Sequence, residues 1–534
     1  MAYRTDHTSV WIIEATGKMA HMSKTLKSMG FDPEIIATRG HLCQMPEKLS
    51  DVCIDTGFRE KNRVPDPQVL ERIRNAITVM QDNGGHDVYI ATDDDTEGNV
   101  IAWDVYESIR DICPDPVRVC LNALDRDSIN LSLKHSGPVE KSDAIAGRTR
   151  AIIDRLLGSA FAKDGSGGRV ASAILGVIAR EKPKPWRIDF VARAVDGGRP
   201  WRVSSPVNDV LTMEMAEKII SIGFPALDYE SVVRKIVPPN DMGRILVSAG
   251  DNMNLSPKDA AKAMQSAYES GSLSYPRAGS RGMSRAAAAK MKTVFRKSGY
   301  AFNPADVPER PESEPHDSPY PVGPVDISLD PEKIGPGEGI RVLIGRDLVP
   351  CGEKRKVQKH RKGDIFRHLV DRGIPEKVAS FVDDLEWERD FGTPRPGEKT
   401  ENESRIVRRR IDSVILESCI GHDIGKPSTW PGHIQNFIDR GIVDGNLQIT
   451  DIGRDMMAHT PGVLLNPAFS RAVMKACEVA VENSGDREPW EVLAEKIVSS
   501  MPSSVRERIV SITEKPEVSM EAKNIHNVDI TQKH

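Results

Sequence analysis

Within YIATDDDTEGN (Tyr89–Asn99) four carboxylates, Asp93, Asp94, Asp95 and Glu97, crowd into five consecutive positions directly before Gly98. Like charges repel, so their proximity needs a compensating positive partner. One partner is the dipole of a following helix, because NVIAWDVYESIRD has apolar residues at helical spacing. Another is a hard divalent cation such as Mg²⁺ or Ca²⁺, which prefers several carboxylate oxygens. Asp93, Asp95, Glu97, Gly98 and Asp104 also fit positions 1, 3, 5, 6 and 12 of an EF-hand loop. The context argues against that loop. HDVYIAT follows Gly84 and Gly85 and is rich in β-formers, so a strand rather than a helix leads in, and Asp104 stands where a bidentate glutamate belongs. Strand, acidic turn and helix instead place the acids beyond the end of a buried strand, where open α/β sheets bind ligands. This favours Mg²⁺ and phosphate chemistry.

The elements that must hold this turn are legible nearby. SVWIIEATGK (9–18) reads as a strand running into a helix and EIIATRGH (34–41) as a second strand, which with HDVYIAT predicts a parallel α/β sheet ending near residue 130. Residues 131–185 read as mostly helical, and RIDFVARAV, WRVSSPV and RILVSA within 186–250 as antiparallel strands. SPKDAAKAMQSAYESG carries Ser256 as N-cap, Pro257 at the first helical position and Asp259 three residues after the cap, and stops at Gly271. Residues 303–337 are a Pro-rich loop. IDSVILESC, GHDIGKPST, WPGHIQNFIDRG and IVDGNLQIT, with an Asp444-Gly445 hairpin, follow the order of a winged helix, and the last 30 or so residues read as a polar tail.

The 534 residues suffice for several domains, and 39% hydrophobic with 28% charged residues describes a soluble globular chain. No run approaches the roughly 20 apolar residues of a membrane span, and the start lacks a signal-peptide pattern, so a cytoplasmic, nucleoid-associated location is expected. Seven cysteines without a C-x-x-C pair argue against a zinc ribbon and fit a reducing compartment. Net charge is −5, so only local runs, KRKVQKHRK (354–362) and RIVRRR (405–410), advertise a polyanion partner.

Four separated stretches, VWIIEATGK, YIATDDDTEGNVIAW, GRVASAILGVIARE and LSYPRAGS, resemble signature segments of the type IA DNA topoisomerases in order and spacing. The first two look like that family's Toprim domain, with Glu14 matching its glutamate and Asp93, Asp95 and Glu97 its D-x-D-x-E-G. IDRLLGSAFA (153–162) and DIGKPSTW (423–430) extend the match, HDSPYPV (316–322) looks like a divergent H-E-A-I-x-P segment, and the likeness spans roughly residues 9 to 458. Thr96 stands where the family usually has Arg, Asp104 where it often has His, and Ala278-Gly279 where Thr-Asp normally follow. The zinc-binding C-terminal repeats of many relatives have no counterpart here.

The resemblance implies a multidomain α/β and α+β fold in which a Toprim Rossmann-like domain, winged-helix-type DNA-binding domains and a strand-rich arch form a ring. On it the chain divides into a Toprim metal-binding domain (1–130), a DNA-binding domain in two parts (131–205 and 366–500), an arch (206–255 and 331–365), an active-site tyrosine domain (256–330) and a tail (501–534). Of eight tyrosines Tyr275 is the nucleophile, whereas Tyr268 falls with Ala260, Met264 and Ala267 on an apolar helix face and reads as core. A free phenol is only about 0.1% ionised at neutral pH, so Arg277 and Lys18 supply positive charge, and Glu14 or a neighbouring acid shuttles the proton. Mg²⁺ on Asp93, Asp95, Glu97 and Glu14 orients the DNA backbone. Arg148, Arg150, Arg155, Arg169, Ser172, His316, Lys426, Ser428 and Thr429 are the expected contacts to single-stranded DNA. The chain contains no G-x-x-x-x-G-K-[ST] loop, which agrees with an ATP-independent reaction, and a monomer is expected. Two alternatives stay open: a Toprim nuclease or primase-like enzyme, and a catalytically impaired relative that binds single strands.

Overall fold

In the computed structural model, which describes residues 8–161, 167–312, 314–353, 355–390, 402–480 and 486–514, the acidic turn crowns a four-stranded sheet. Its strands run Asp32–Ala37, Thr8–Ile13, Asp87–Ile90 and Val117–Arg118 across the sheet, all parallel, with Ile12 opposite both Ile36 and Ile90. Side chains alternate between two covered faces, which is why these strands read as continuous apolar runs. Val10, Ile12 and Ile90 pack on Ile73 and Ile77 of the helix Pro67–Asp82, while Trp11, Ile13 and Tyr89 face Met22 and Leu26 of the helix Met19–Ser28. The EF-hand register is thereby excluded, because a strand enters the turn.

A second, six-stranded sheet is antiparallel throughout, in the order Arg405–Arg408, Trp186–Ala192, Trp201–Pro206, Glu388–Asp390, Arg355–His360 and Tyr229–Lys235. RILVSA does not join it. It lies inside the helix Met242–Met253, capped by Asp241, and its apolar residues Met242, Ile245, Leu246, Ala249 and Met253 repeat at helical spacing that a six-residue window conceals. Both expected arch segments therefore carry a helix as well as a strand: Met242–Met253 and Pro336–Leu348 pack against Pro257–Glu269 in one apolar core.

The helix Pro257–Glu269 has the expected ends, with Ser256 accepting from the Asp259 amide at 3.0 Å. The helices Ile411–Gly421 and Trp430–Asp439 lead into an antiparallel bridge between Val443 and Ile449 across the Asp444-Gly445 turn, as the winged-helix order predicts. The tail is a correction in part. Its first segment is the helix Ser503–Thr513, whose Val505 and Ile509 are buried in the core built on Lys141–Phe161 and Pro489–Ser500; residues 515–534 lie outside the described residues. All seven cysteines are free thiols. No helix among the described residues is long and apolar enough to cross a membrane.

Candidate active site

The acidic turn owes its shape to two residues outside its carboxylates. Gly98 lies so close to the Asp93 carbonyl that a methyl group there would collide with it. Below the turn, Arg118 is buried and donates to the carbonyls of Thr92 and Asp93, each at 2.9 Å, so a guanidinium underlies the acids. Asp95 caps the helix Thr96–Ile109, its Oδ1 accepting from the Gly98 amide at 2.7 Å. The helix-dipole explanation thus holds for Asp95, and it leaves Asp95 Oδ2 available.

Asp93 has a different environment. It is fully buried, and its Oδ1 accepts from both the Lys18 ammonium and, at 2.9 Å, the Tyr268 hydroxyl. Lys18 is fully buried too, at the end of the short 3-10 turn Thr16–Lys18, 3.7 Å from Glu14 and 4.8 Å above the Tyr268 ring. Burial and the adjacent Asp93 charge push the Glu14 carboxyl up to about 8. Burial opposes ionisation of Asp93 as well, but Lys18, the Glu14 proton and Tyr268 outweigh it and hold Asp93 down to about 2. The pair therefore shares one proton, and Glu14 carries it at neutral pH.

Tyr275 is delivered to this cluster by its backbone. The chain leaves Pro257–Glu269 through Gly271 at φ 72°, bonds Ser274 N–H to the Tyr320 carbonyl at 3.0 Å, and donates the Tyr275 N–H to the Asn122 carbonyl at 2.8 Å. The phenol, only 1% exposed, donates to Asp95 Oδ2, with the Arg277 guanidinium 4.0 Å from that same oxygen. Burial and the charges of Asp95 and Asp93 hold the phenol well above its ordinary range, with Arg277 opposing them. Asp95 is thus the hydrogen-bond acceptor of the buried phenol, with Glu14 and the Lys18 ammonium in the same cluster.

Of the residues expected at the site, Glu14, Lys18, Asp93, Asp95, Tyr275 and Arg277 are brought together. Glu97 is not with them: it is paired with Arg150, and His41 Nε2 stands 2.5 Å from its other oxygen. His316 is not an exposed DNA contact. It is buried, stacks on the Tyr275 ring at 4.0 Å between centroids, donates from Nε2 to the Asp94 carbonyl at 2.5 Å and meets the Asn122 carboxamide through Nδ1.

Several expected DNA contacts are likewise spent inside the protein. Arg148 pairs with Glu60 and stacks on Trp490 at 4.4 Å; Arg155 donates to the carbonyls of Lys48, Asp51 and Val52; Arg169 is held by Asp154 at 2.7 Å and Ser470 at 2.8 Å; Ser172 is buried and bonds the Gly167 carbonyl. Lys426, Ser428 and Thr429 lie just before the helix Trp430–Asp439, with Ser428 exposed and Lys426 3.5 Å from Glu478. The basic runs are also paired: Arg355 with Asp390, Lys359 with Glu388, Arg409 with Asp251 and Arg410 with Asp412.

Sequence reasoning missed Tyr268, Asn122, Arg118 and His41. Tyr268 was hidden because its place on an apolar helix face already had a sufficient explanation; the other three carry no local signal.

The oxygen-only donor set of Glu14, Asp93 and Asp95 fits a hard cation such as Mg²⁺. Asp93 Oδ2 is a buried oxygen with no hydrogen-bond partner, and the neighbouring Oδ1 already holds a cationic ammonium. Among the described residues no three carboxylate, imidazole or thiol groups converge on one point in this closed arrangement, Glu97 being turned onto Arg150.

Residues 9–124 match the Toprim domain family. Reverse gyrase of Pyrobaculum aerophilum is 28% identical over 460 residues, 78% of this chain and 35% of that protein. DNA topoisomerase 1 of Fervidobacterium islandicum is 20% identical over 498 residues, 81% of this chain and 68% of that protein. The plasmid DNA topoisomerase I of Xylella fastidiosa is 24% identical over 50% of this chain and 43% of its own. Against four of the curated relatives it matches, the chain spans between 16% and 43% of their length. The full-length topoisomerase I of Thermotoga maritima shares the fold with a TM-score of 0.60 at 17% identity, over 93% of this chain and 90% of that one. In domain content, sequence and fold the chain is a relative of the type IA DNA topoisomerases, with a Toprim domain at residues 9–124.

Proposed function

We propose that this chain is an ATP-independent DNA topoisomerase that cuts and rejoins one strand through Tyr275. The observation that carries the reading is the meeting of the Tyr275 phenol with Asp95 beside Glu14, Lys18 and Arg277, groups from distant parts of the chain. The phenolic oxygen attacks a backbone phosphorus, forming a 5′-phosphotyrosine bond while the bond to the 3′-oxygen breaks. Asp95 accepts the phenolic proton, and Glu14 donates its own to the departing oxygen. Arg277 and Lys18 neutralise charge on the phosphate oxygens. Rejoining reverses each transfer, so the bond energy is conserved and no nucleotide is consumed. Mg²⁺ would be held by Asp93 and Asp95, with Glu14 able to join them as a carboxylate once its proton has gone to the departing oxygen, and would add positive charge that orients the DNA backbone for rejoining.

Because Tyr275 is sealed, the arrangement is a closed gate, and DNA entry requires the tyrosine-bearing unit to part from the Toprim unit. Tyr275–Asp95, Tyr268–Asp93, His316–Asp94 and Lys290–Asp125 hold it shut. Arg150, Lys426, Ser428 and Thr429 are the remaining candidates for the single-strand path. Relaxation of negatively supercoiled plasmid with Mg²⁺, together with trapping of protein covalently on the 5′ end of cleaved DNA, tests the reading. Tyr275→Phe abolishes both. A Phe variant that still cleaves makes the carboxylates a nuclease centre instead, and wild-type protein that binds single strands tightly without cleaving is an impaired relative.

A further inference from the structure

Packing accounts for the ring of Tyr268 but not for its hydroxyl. The ring sits in a core shared with Trp11, Ile13, Ala91 and Leu121 of the Toprim sheet, where phenylalanine would fill the same space. A buried hydroxyl is costly without a partner, and the partner here is Asp93. Tyr268 comes from Pro257–Glu269, the helix that leads to Tyr275, and its ring meets the Tyr275 ring edge-on at 5.7 Å. Asp93 and Lys18 come from the opposing Toprim unit. One side chain on the gate therefore touches the nucleophile, the buried acid and the buried ammonium at once.

We propose that Tyr268 is a positioning residue for strand cleavage, whose hydroxyl fixes the Asp93 carboxylate and whose ring seats Lys18 each time the gate closes. The proposal rests on the topoisomerase reading above. With Lys18 and Tyr268 both on Oδ1, the second Asp93 oxygen is buried without a hydrogen-bond partner. Opening the gate withdraws Tyr268 together with Tyr275, so the acid and the ammonium are locked in place only when the nucleophile is present. This makes cleavage conditional on closure.

The test uses the full chain and a single-stranded oligonucleotide labelled at its 3′ end, which stays with the protein-linked fragment. Adduct formation rate, oligonucleotide affinity and the melting temperature are measured for wild type, Tyr268→Phe, Tyr268→Leu and Tyr275→Phe. Loss of a hydrogen bond to a charged group lowers the adduct rate of Tyr268→Phe about 10- to 100-fold, with affinity within about twofold and the variant fully folded at the assay temperature. Tyr268→Leu, which also loses the ring over Lys18, is slower still. A wild-type rate in Tyr268→Phe overturns the proposal, as does a loss that merely follows affinity or melting temperature, while leaving the topoisomerase reading intact. A wild-type chain that forms no more adduct than Tyr275→Phe overturns that reading, and the proposal with it.

Discussion

The rings of His316 and Tyr275 lie 4.0 Å apart and inclined by 30°, and the far edge of the imidazole is tied to the Asp94 carbonyl in the acidic turn. Burial holds the imidazole below its ordinary range, and its Nε2 donates to that carbonyl. His316 therefore registers the Tyr275 phenol against the turn.

His316→Ala should slow covalent-adduct formation about 10- to 100-fold, because a small displacement of a nucleophile is enough for a loss of that size. Single-strand affinity should stay within about twofold of wild type. A backbone contact would behave otherwise, weakening binding and lowering the salt slope by about one unit; oligonucleotide titrations at several salt concentrations decide.

Gly98→Ala should destabilise the chain by about 3 kcal/mol, since the new methyl meets the rigid Asp93 carbonyl rather than a movable side chain. It should also abolish cleavage by displacing Asp93 and Asp95. Gly432→Ala, in the helix Trp430–Asp439 with open space around it, should be neutral or stabilise by up to about 1 kcal/mol. Urea unfolding of the two variants is the comparison.

Arg169→Met should cost about 1 to 2 kcal/mol of stability, because the buried guanidinium's bonds to Ser470 and to the half-exposed Asp154 are lost, while water takes up the freed carboxylate. Folded variant should bind single strands as wild type does. A large loss of affinity with unchanged melting would restore Arg169 as a DNA contact.

Burial pushes the Asp347 carboxyl up to about 6, against the bonds it accepts from Asn240 and Ser248. A raised carboxyl favours the protonated fold, so this group's contribution is greatest in acid, declines as pH rises from about 4 to about 6 and is flat above. Asp347→Asn should remove that decline and exceed wild type by up to about 3 kcal/mol at neutral pH. Unfolding free energies across pH 4 to 8 measure it.

Much of the framework was legible in short stretches. The parallel strands, the strand-to-turn passage at 93–97, the capped helix Pro257–Glu269 and the Asp444-Gly445 hairpin depend on residues within a few positions of one another. RILVSA failed for the converse reason: an amphipathic helix needs two turns or more to declare its period. The tail failed because Val505, Ile509 and Ile512, although at helical spacing, are few among polar neighbours and their burial depends on a helix more than 340 positions earlier.

The arginines show the limit most plainly. Arg148, Arg155 and Arg169 have the side chain that binds phosphate, yet their partners are Glu60, three loop carbonyls, and Asp154 with Ser470. Nothing in the local sequence distinguishes a guanidinium that faces solvent from one that faces a distant acid.

The residues alone determined which groups are available: a crowd of acids at a strand end, one tyrosine followed by an arginine, and the helices and turns that carry them, since these follow from backbone preference and periodicity over short range. The folded molecule decided how they are used. It assigned the proton to Glu14, the phenol to Asp95, Glu97 to Arg150 and Tyr268 to Asp93, because desolvation and electrostatic neighbourhood exist only once segments up to 180 residues apart share one dry interface.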